Sequence, residues 1–542
     1  MARGTSAALA ALMATLLAAA PVAAAERPAP PNDPLYGEQW ALRADSAYGI
    51  DLLDTWRFGQ GSGVVVAVLD TGITTHPEFE GRVLPGYDFI SDVQRAGDGD
   101  GRDADPTDIG DWVTEADLVA RTYGAECTEA YDSSWHGTHV AGTILAAANN
   151  GLGIVGIAPL AQLLPVRVVG HCGGSLADLI DAMRWAGGLS VSGVTDNPTP
   201  ATILNISLVV ERSCPAQMQA VVDELSARGV VVVTAVGNET MDASRFAPAN
   251  CRGTVTVGAT TLSGDRADYS NYGSYVDLSA PGGGSGRNAG VLSTLNDGRT
   301  VAAAPAYARA SGTSMASPHV AGLLASVIGA EPDLPRSDLF TLLFANLAPF
   351  PAGSSCAQSV GLCGGGILSG SRLYAAFEAR VTPVAVATAP AELAIGATAP
   401  VSATVDGSPV DLTLQTPLIC SYAGGTVTAI ASGVCMLRST RPGSATIKPV
   451  RLEVAISIPG NTPTIEVVLP TRLKIGRRIT PTITTTSDAP PVLTSRTPRV
   501  CVVGASGRLR AIASGTCKVR VQVAATAQFA ARQVTFSVRA TR

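Results

Sequence analysis

Between about residue 40 and residue 345 the chain alternates two textures, and that alternation constrains its fold more than any other feature. Val64–Leu69 is a continuous run of apolar, mostly β-branched residues, and Leu163–Val169, Ile203–Ser207, Val230–Ala235 and Val255–Ala259 read likewise. A short run that is apolar at both odd and even positions suits a strand buried on both faces, as in a parallel sheet. Between these runs lie stretches with helical character: His136–Asn149, Leu176–Trp185, Met218–Ala227 and Ser314–Ile328. Strand and helix in alternation predict an α/β fold, a doubly wound parallel sheet with helices on both faces. In such sheets the functional residues gather beyond the carboxyl ends of the strands.

The chain has 542 residues, too many for one domain at roughly 100–200 residues each. Hydrophobic residues make up 46% and charged residues 15%, which excludes global disorder. The net charge of −6 gives no reason to expect a nucleic-acid binder. It is unevenly spread. Residues 1–380 carry 21 Lys+Arg against 38 Asp+Glu, residues 381–462 carry 4 against 4, and residues 463–542 carry 13 against 2. An acidic body, a neutral piece and a basic piece are therefore expected as separate units. After residue 381 helical periodicity disappears and Thr, Val, Ala and Pro dominate. The segment TPLICSYAGGTVTAIASGVCMLR (416–438) returns as TPRVCVVGASGRLRAIASGTCKVR (497–520). Two copies of one small all-β unit are expected, at 381–462 and 463–542.

Residues 1–25 read as a secretory signal: Arg3, an apolar run Ala7–Ala20, a break at Pro21 and Ala23-Ala24-Ala25 before the body. Residues 26–34 are a Pro-rich leader. Ten cysteines fit an oxidising compartment. They fall in sequence-local sets, Cys127 with Cys172, Cys214 with Cys251, Cys356 with Cys363, Cys420 with Cys435 and Cys501 with Cys517. The even count favours disulfides, and no C-x-x-C pair points to zinc or redox chemistry. Proximity alone supplies these pairings.

Three segments carry chemistry. VVVAVLDTGI (64–73) sets Asp70 at the end of a buried strand, SSWHGTHVAGT (133–143) sets His136 at the start of a helix, and GTSMASPHVAG (312–322) sets Ser314 where another helix begins. A fourth, TAVGN (234–238), ends a strand on Asn238. A serine hydroxyl becomes a nucleophile when an imidazole accepts its proton. The imidazole needs a buried carboxylate to fix its tautomer. The developing oxyanion needs donors, here the Asn238 amide and the Ser314 N–H.

With these residues in the order Asp, His, Ser, the chain resembles the subtilisin-like serine proteases, or subtilases, over about residues 35–380. LLPVRVVGHCGG (163–174), DAMRWAGGLS (181–190) and SNYGSYVDLSAPGG (270–283) are similar to the disulfide-bearing secreted bacterial members. The resemblance implies a serine endopeptidase that forms an acyl-enzyme on polypeptide substrates, with Asp70, His136 and Ser314 as triad and Asn238 as oxyanion donor. It also implies a substrate held as an added β-strand along Gly173, Gly174, Ser207, Leu208 and Val209, with the P1 side chain between Ser207–Val210 and Val233–Asn238, where Ala235 and Gly237 stand. The family has SLGG where this chain has SLVV (207–210), so a narrowed pocket is expected. Glu239, beside Asn238, either sits at the rim, where it would admit a basic P1 residue, or is a solvated carboxylate. The family's folding segment of several tens of residues has only residues 26–34 to correspond to it.

Asp98, Asp100, Asp103 and Asp105 crowd one short stretch that also holds Asp108 and Asp111. Such density suits an oxygen-ligated structural Ca²⁺, and this is expected of these four carboxylates; no cofactor is expected for catalysis. His136 and His139 lack the Glu and the i,i+4 spacing of a zinc helix. The two repeats resemble bacterial immunoglobulin-like modules, and the basic second one is either a solubilising spacer or a face for a polyanion at a cell surface. A monomer is expected. The rival reading is a surface-binding or adhesive protein, with a latent body and functional repeats.

Overall fold

The molecule is described from a computed structural model, which covers residues 26–541 except Arg287, together with the two-residue strand Leu17–Ala18. The signal-sequence reading of residues 1–25 otherwise lies outside the described residues. The chain divides into two units, one of residues 23–381 with Pro442–Lys448, the other holding 382–441 and 449–542.

The first unit is built on seven parallel strands: β1 (Val65–Asp70), β2 (Tyr87–Asp88), β3 (Gln162–Arg167), β4 (Ile203–Ile206), β5 (Val231–Ala235), β6 (Val255–Thr260) and β7 (Leu278–Pro281). Their spatial order is β7-β6-β5-β4-β1-β3-β2. The five expected strands are all present. The two that the apolar pattern missed, β2 and β7, are the edges: β2 has only two residues, and β7 reads Leu-Ser-Ala-Pro, its apolar run broken by Ser279 and Pro281.

Side-chain alternation along β1 shows why the strands read as continuously apolar. Val66 and Val68 join a core with the helices α1 (His136–Leu145) and α4 (Thr313–Ala330). Ala67 and Leu69 join a second core with α2 (Leu176–Ala186) and α3 (Ala216–Ala227). Each face of the sheet is thus roofed by two helices. The expected helix His136–Asn149 stops at Leu145. α4 is the central helix: every residue from Thr313 to Ile328 is buried.

The leader is anchored to the body. Asp33 accepts the Asn149 N–H at 2.8 Å, Leu35 N–H bonds the Gly153 carbonyl at 2.7 Å, and Arg27 pairs with Asp51 at 2.7 Å. All five cysteine pairs form disulfides as the sequence sets them, Cys127–Cys172, Cys214–Cys251, Cys356–Cys363, Cys420–Cys435 and Cys501–Cys517.

The second unit is all-β, with small, mostly antiparallel sheets. The strand Gly433–Arg441 pairs with Val450–Ile458 in the first repeat, as Gly515–Val523 pairs with Arg532–Thr541 in the second. In each, the disulfide of the repeated segment sits fully buried in the core. Among the described residues no helix is long and apolar enough to cross a membrane.

Candidate active site

Three strand ends meet at the carboxyl edge of the sheet. β1 delivers Asp70, β4 leads into Ser207, and β5 leads into Asn238. Helices α1 and α4 begin over this edge with His136 and Ser314.

Asp70 is wholly buried, and its Oδ1 lies 2.7 Å from Nδ1 of His136. The same oxygen accepts the Thr71 N–H at 2.8 Å. A carboxylate accepts only, so Nδ1 carries the proton and Nε2 is left as the basic nitrogen. Burial works against protonation of His136. The charge and hydrogen bond of Asp70, with Asp111 and Asp108 further off, outweigh it and raise the imidazole pKa above its ordinary 6.5.

The close approach of α1 to β1 depends on Gly137. A Cβ there would stand 2.2 Å from the Gly72 carbonyl oxygen and 3.2 Å from the Asp70 Cβ. Before it, Trp135 adopts a left-handed backbone (φ 51°) that a bulky residue rarely takes. It is held there by near-complete burial and by its indole N–H donating to the Gly298 carbonyl at 2.6 Å.

Ser314 is the second residue of α4, so its N–H is among those without a partner inside the helix. Its hydroxyl donates to the Ser207 carbonyl at 3.0 Å. Pro318, four residues on, has no N–H to bond the Ser314 carbonyl. That carbonyl instead accepts the Ser207 hydroxyl at 3.1 Å, which also contacts Ser317 Oγ at 2.9 Å and accepts from Asn205 at 2.9 Å. Ser314 therefore rests on a fixed polar floor.

Asn238 is oriented by Thr313. Its Oδ1 accepts the Thr313 N–H at 2.8 Å and the Thr313 hydroxyl at 3.0 Å. The amide nitrogen, the only donor of that side chain, is thereby kept on the other side. Gly237 before it has φ 103°, and a Cβ there would meet Asn271 Nδ2 at 2.4 Å. Asn238→Ala removes a donor aimed at developing charge. Steady-state kinetics should show kcat reduced by about 10²–10³-fold with KM little changed.

One cleft of about 250 Å³ joins these groups; His136, Ser314, Asn238, Ser207, Leu208 and Val209 line it, with Ala235 and Gly237. Gly173 and Gly174, expected along the substrate edge, do not line it. Gly173 closes a tight turn with Gly170 through hydrogen bonds of 3.1 and 3.2 Å, beside the disulfide of Cys172. The two valines part company. Val209 packs on Val236, Ala243, Ala249 and Val276 at the cleft wall. Val210 is 40% exposed and pairs with Ala247 in a two-stranded ribbon. Neither has positive φ. Glu239 is engaged locally: its Oε2 accepts the Asn238 N–H at 2.8 Å and the Asn271 amide at 2.6 Å.

The acidic segment makes both local and long-range contacts. Asp98 pairs with the buried Arg167 at 2.8 Å, Asp103 accepts the Asp105 N–H at 2.8 Å, and Asp105 accepts the Thr107 N–H at 3.0 Å. Asp100 donates its own N–H to Asp98 at 3.4 Å. Among the described residues no three carboxylate, imidazole or thiol side chains gather as a metal site. The Asp98, Asp103 and Asp105 carboxylates are each engaged by a protein partner, while the Asp100 carboxylate is not, and the Ca²⁺ expected of the four stays a proposal. His139 is buried, its Nε2–H donates to the Ala308 carbonyl at 3.2 Å, and burial pushes its pKa down to about 4. It is a neutral packing residue.

Asp108 and Asp111, by contrast, belong to the site, and nothing local marked them. Asp108 accepts the Thr71 hydroxyl at 2.6 Å, while Thr71 Oγ1 accepts the Gly137 N–H at 3.0 Å. Burial pushes the Asp108 pKa up to about 7. Asp111 accepts the Ser134 N–H at 2.6 Å and hydroxyl at 2.8 Å, and Ser134 Oγ accepts the His136 N–H at 3.3 Å. Asp111→Asn removes a charge that raises the His136 pKa. Catalysis needs the unprotonated imidazole, so the acid limb of kcat/KM against pH should move to lower pH.

With this geometry in view, comparison with known proteins gives a consistent result. The sequence profile of the subtilase family matches residues 61–361. The chain belongs to the subtilase family. It is 45% identical over 340 residues to the extracellular protease of Xanthomonas campestris pv. campestris, covering 62% of this chain and 56% of that one. It is 45% identical over 303 residues to the extracellular basic protease of Dichelobacter nodosus, covering 56% and 49%. The chain thus spans about half the length of these two curated relatives. A solved protease of Pseudoalteromonas arctica superposes with a TM-score of 0.60 at 42% identity, covering 64% of this chain and 99% of that one.

Proposed function

We propose that the chain is a secreted serine endopeptidase acting on extracellular proteins. The observation that carries this reading is the buried Asp70 carboxylate 2.7 Å from His136 Nδ1, in one cleft with Ser314 and Asn238. Rotation about χ1 takes the Ser314 hydroxyl from the Ser207 carbonyl toward His136 Nε2. The imidazole accepts the proton as Oγ attacks the scissile carbonyl carbon. Asp70 holds the ring in the Nδ1–H tautomer and stabilises the imidazolium. The Asn238 amide and the Ser314 N–H bond the oxyanion, favoured also by the N-terminus of α4. The imidazolium then protonates the leaving amine, and water, activated by the same imidazole, hydrolyses the acyl-enzyme. The extracellular names of the two relatives support secretion. The comparisons lend no support to a latent body with adhesive repeats.

The test is labelling of the full chain with a fluorophosphonate probe, wild type beside Ser314→Ala. Labelling of wild type alone is the expected result, and an unlabelled, folded wild type overturns the reading.

Val209 narrows the cleft wall and favours slender P1 residues. Val209→Gly removes three carbons from that wall. On a P1-scanned peptide library, kcat/KM for Phe relative to Ala should rise by about tenfold, at roughly 1 kcal/mol or more for a bulky group freed from steric conflict. An unchanged ratio places the limit elsewhere.

A further inference from the structure

In the second repeat the strands Arg472–Lys474, Arg532–Thr541, Gly515–Val523 and Val492–Ser495 form one sheet in that spatial order. Side chains alternate across a strand, and the alternation separates the two faces. Leu473, Val538, Ala540, Cys517, Val519 and Val521 are buried on one. The other carries Arg472, Lys474, Arg539, Lys518 and Arg520. Arg496 extends it, its N–H bonding the Lys518 carbonyl at 2.8 Å.

The register sets like charges side by side. Arg472 is the direct partner of Arg539, and Arg496 stands beside Lys518. Such cross-strand neighbours destabilise a sheet unless something relieves them. Among the described residues of this repeat, no acidic side chain does so. The repeat's two acidic residues are Glu466, on the strand Ile465–Val468 of a different sheet, and Asp488, outside any strand. Among the described residues, salt bridges involve none of the six cations. Arg520 makes only long contacts to Thr494 Oγ1 at 3.4 Å and Gln533 Oε1 at 3.5 Å.

The shape of the array limits its partner. Neighbouring strands lie about 4.8 Å apart and same-face residues about 6.8 Å apart, so the cations form an open lattice rather than a pocket for one small anion. Thr516, Thr535, Ser537 and Gln522 stand between them with neutral hydroxyl and amide groups. No aromatic side chain points outward on these four strands, so the face lacks the stacking platform of a single-strand nucleic-acid binder.

We propose that this face binds an acidic polysaccharide, a chain of uronate sugars whose carboxylates meet the cations and whose hydroxyls meet the Thr, Ser and Gln side chains. The proposal does not depend on proteolysis. The full chain carrying Ser314→Ala, which keeps it intact, is titrated with polygalacturonate and with neutral dextran by affinity electrophoresis. Retention by polygalacturonate alone is expected, weakening as salt rises. Adding Arg472→Gln, Lys518→Gln and Arg539→Gln should weaken it at least tenfold. Adding Arg478→Gln, Arg508→Gln and Arg510→Gln instead, which removes equal charge from another sheet of the repeat and its flank, should change it less than threefold. Arg472→Lys with Arg539→Lys should preserve it. The proposal is overturned by absence of binding at low salt, by equal loss in both Gln triples, or by tighter binding to DNA or to anionic vesicles than to polygalacturonate.

Discussion

Ser314→Ala is expected to lower kcat for peptide hydrolysis by about 10⁶-fold while leaving the fold and KM close to wild type. The Ser314 side chain contributes a single hydroxyl, bonded to the Ser207 carbonyl at 3.0 Å. The floor beneath it is held by other atoms: the Ser207 hydroxyl bonds the Ser314 carbonyl, Ser317 and Asn205. Alanine retains all of these and is a good helix former. The loss is therefore one of chemistry. Residual turnover above the uncatalysed rate, by about 10³–10⁴, would report the oxyanion donors acting alone. Single-turnover kinetics with a peptide ester measure both quantities. A decrease of less than a hundredfold would mean that Ser314 is not the nucleophile.

Asp70→Asn should cost about 10⁴-fold in kcat, and for a different reason. The side chain keeps its size, so the buried site at the end of β1 is still filled. Its charge is gone, and the oxygen that accepts from both His136 Nδ1–H and the Thr71 N–H can be exchanged for an NH₂ donor. A donor facing Nδ1 forces the other tautomer, which places the proton on Nε2, where the serine proton must go. Asp70 also supplies the largest contribution that raises the His136 pKa against burial. Without it the imidazole titrates lower, so the remaining activity should persist to more acidic pH than in wild type. The same fall at every pH, with no displaced acid limb, would mean that Asp70 acts only by filling space.

The other outcomes depend on how far each group lies along the chain from its partner. The four motif segments were legible because each carries its meaning within a few residues: a β-branched run ending in Asp70, a helix opening on His136, a helix opening on Ser314, and a strand closing before Asn238. The five disulfides followed from proximity for the same reason. The contacts of the acidic stretch were not legible, because density is a local property whereas its partners lie far along the chain. Asp98 goes to Arg167, 69 residues away, and Asp111 to Ser134, 23 away. The glycines at 173 and 174 were placed by family likeness, and their turn carries them clear of the cleft lining.

By itself the sequence determined the alternating architecture, the motif segments that carry Asp70, His136, Ser314 and Asn238, and the presence of two all-β repeats, because periodicity and short motifs are written in neighbouring residues. Only the tertiary structure decided what supports those groups. Thr71 meets Asp108 across 37 residues, Ser207 meets Ser314 across 107, and Asn238 meets Thr313 across 75. These contacts exist because the sheet order β7-β6-β5-β4-β1-β3-β2 brings distant strand ends to one edge. The alternation predicts helices on both faces, but which strand neighbours which is fixed only when those helices pack, and no local pattern encodes that.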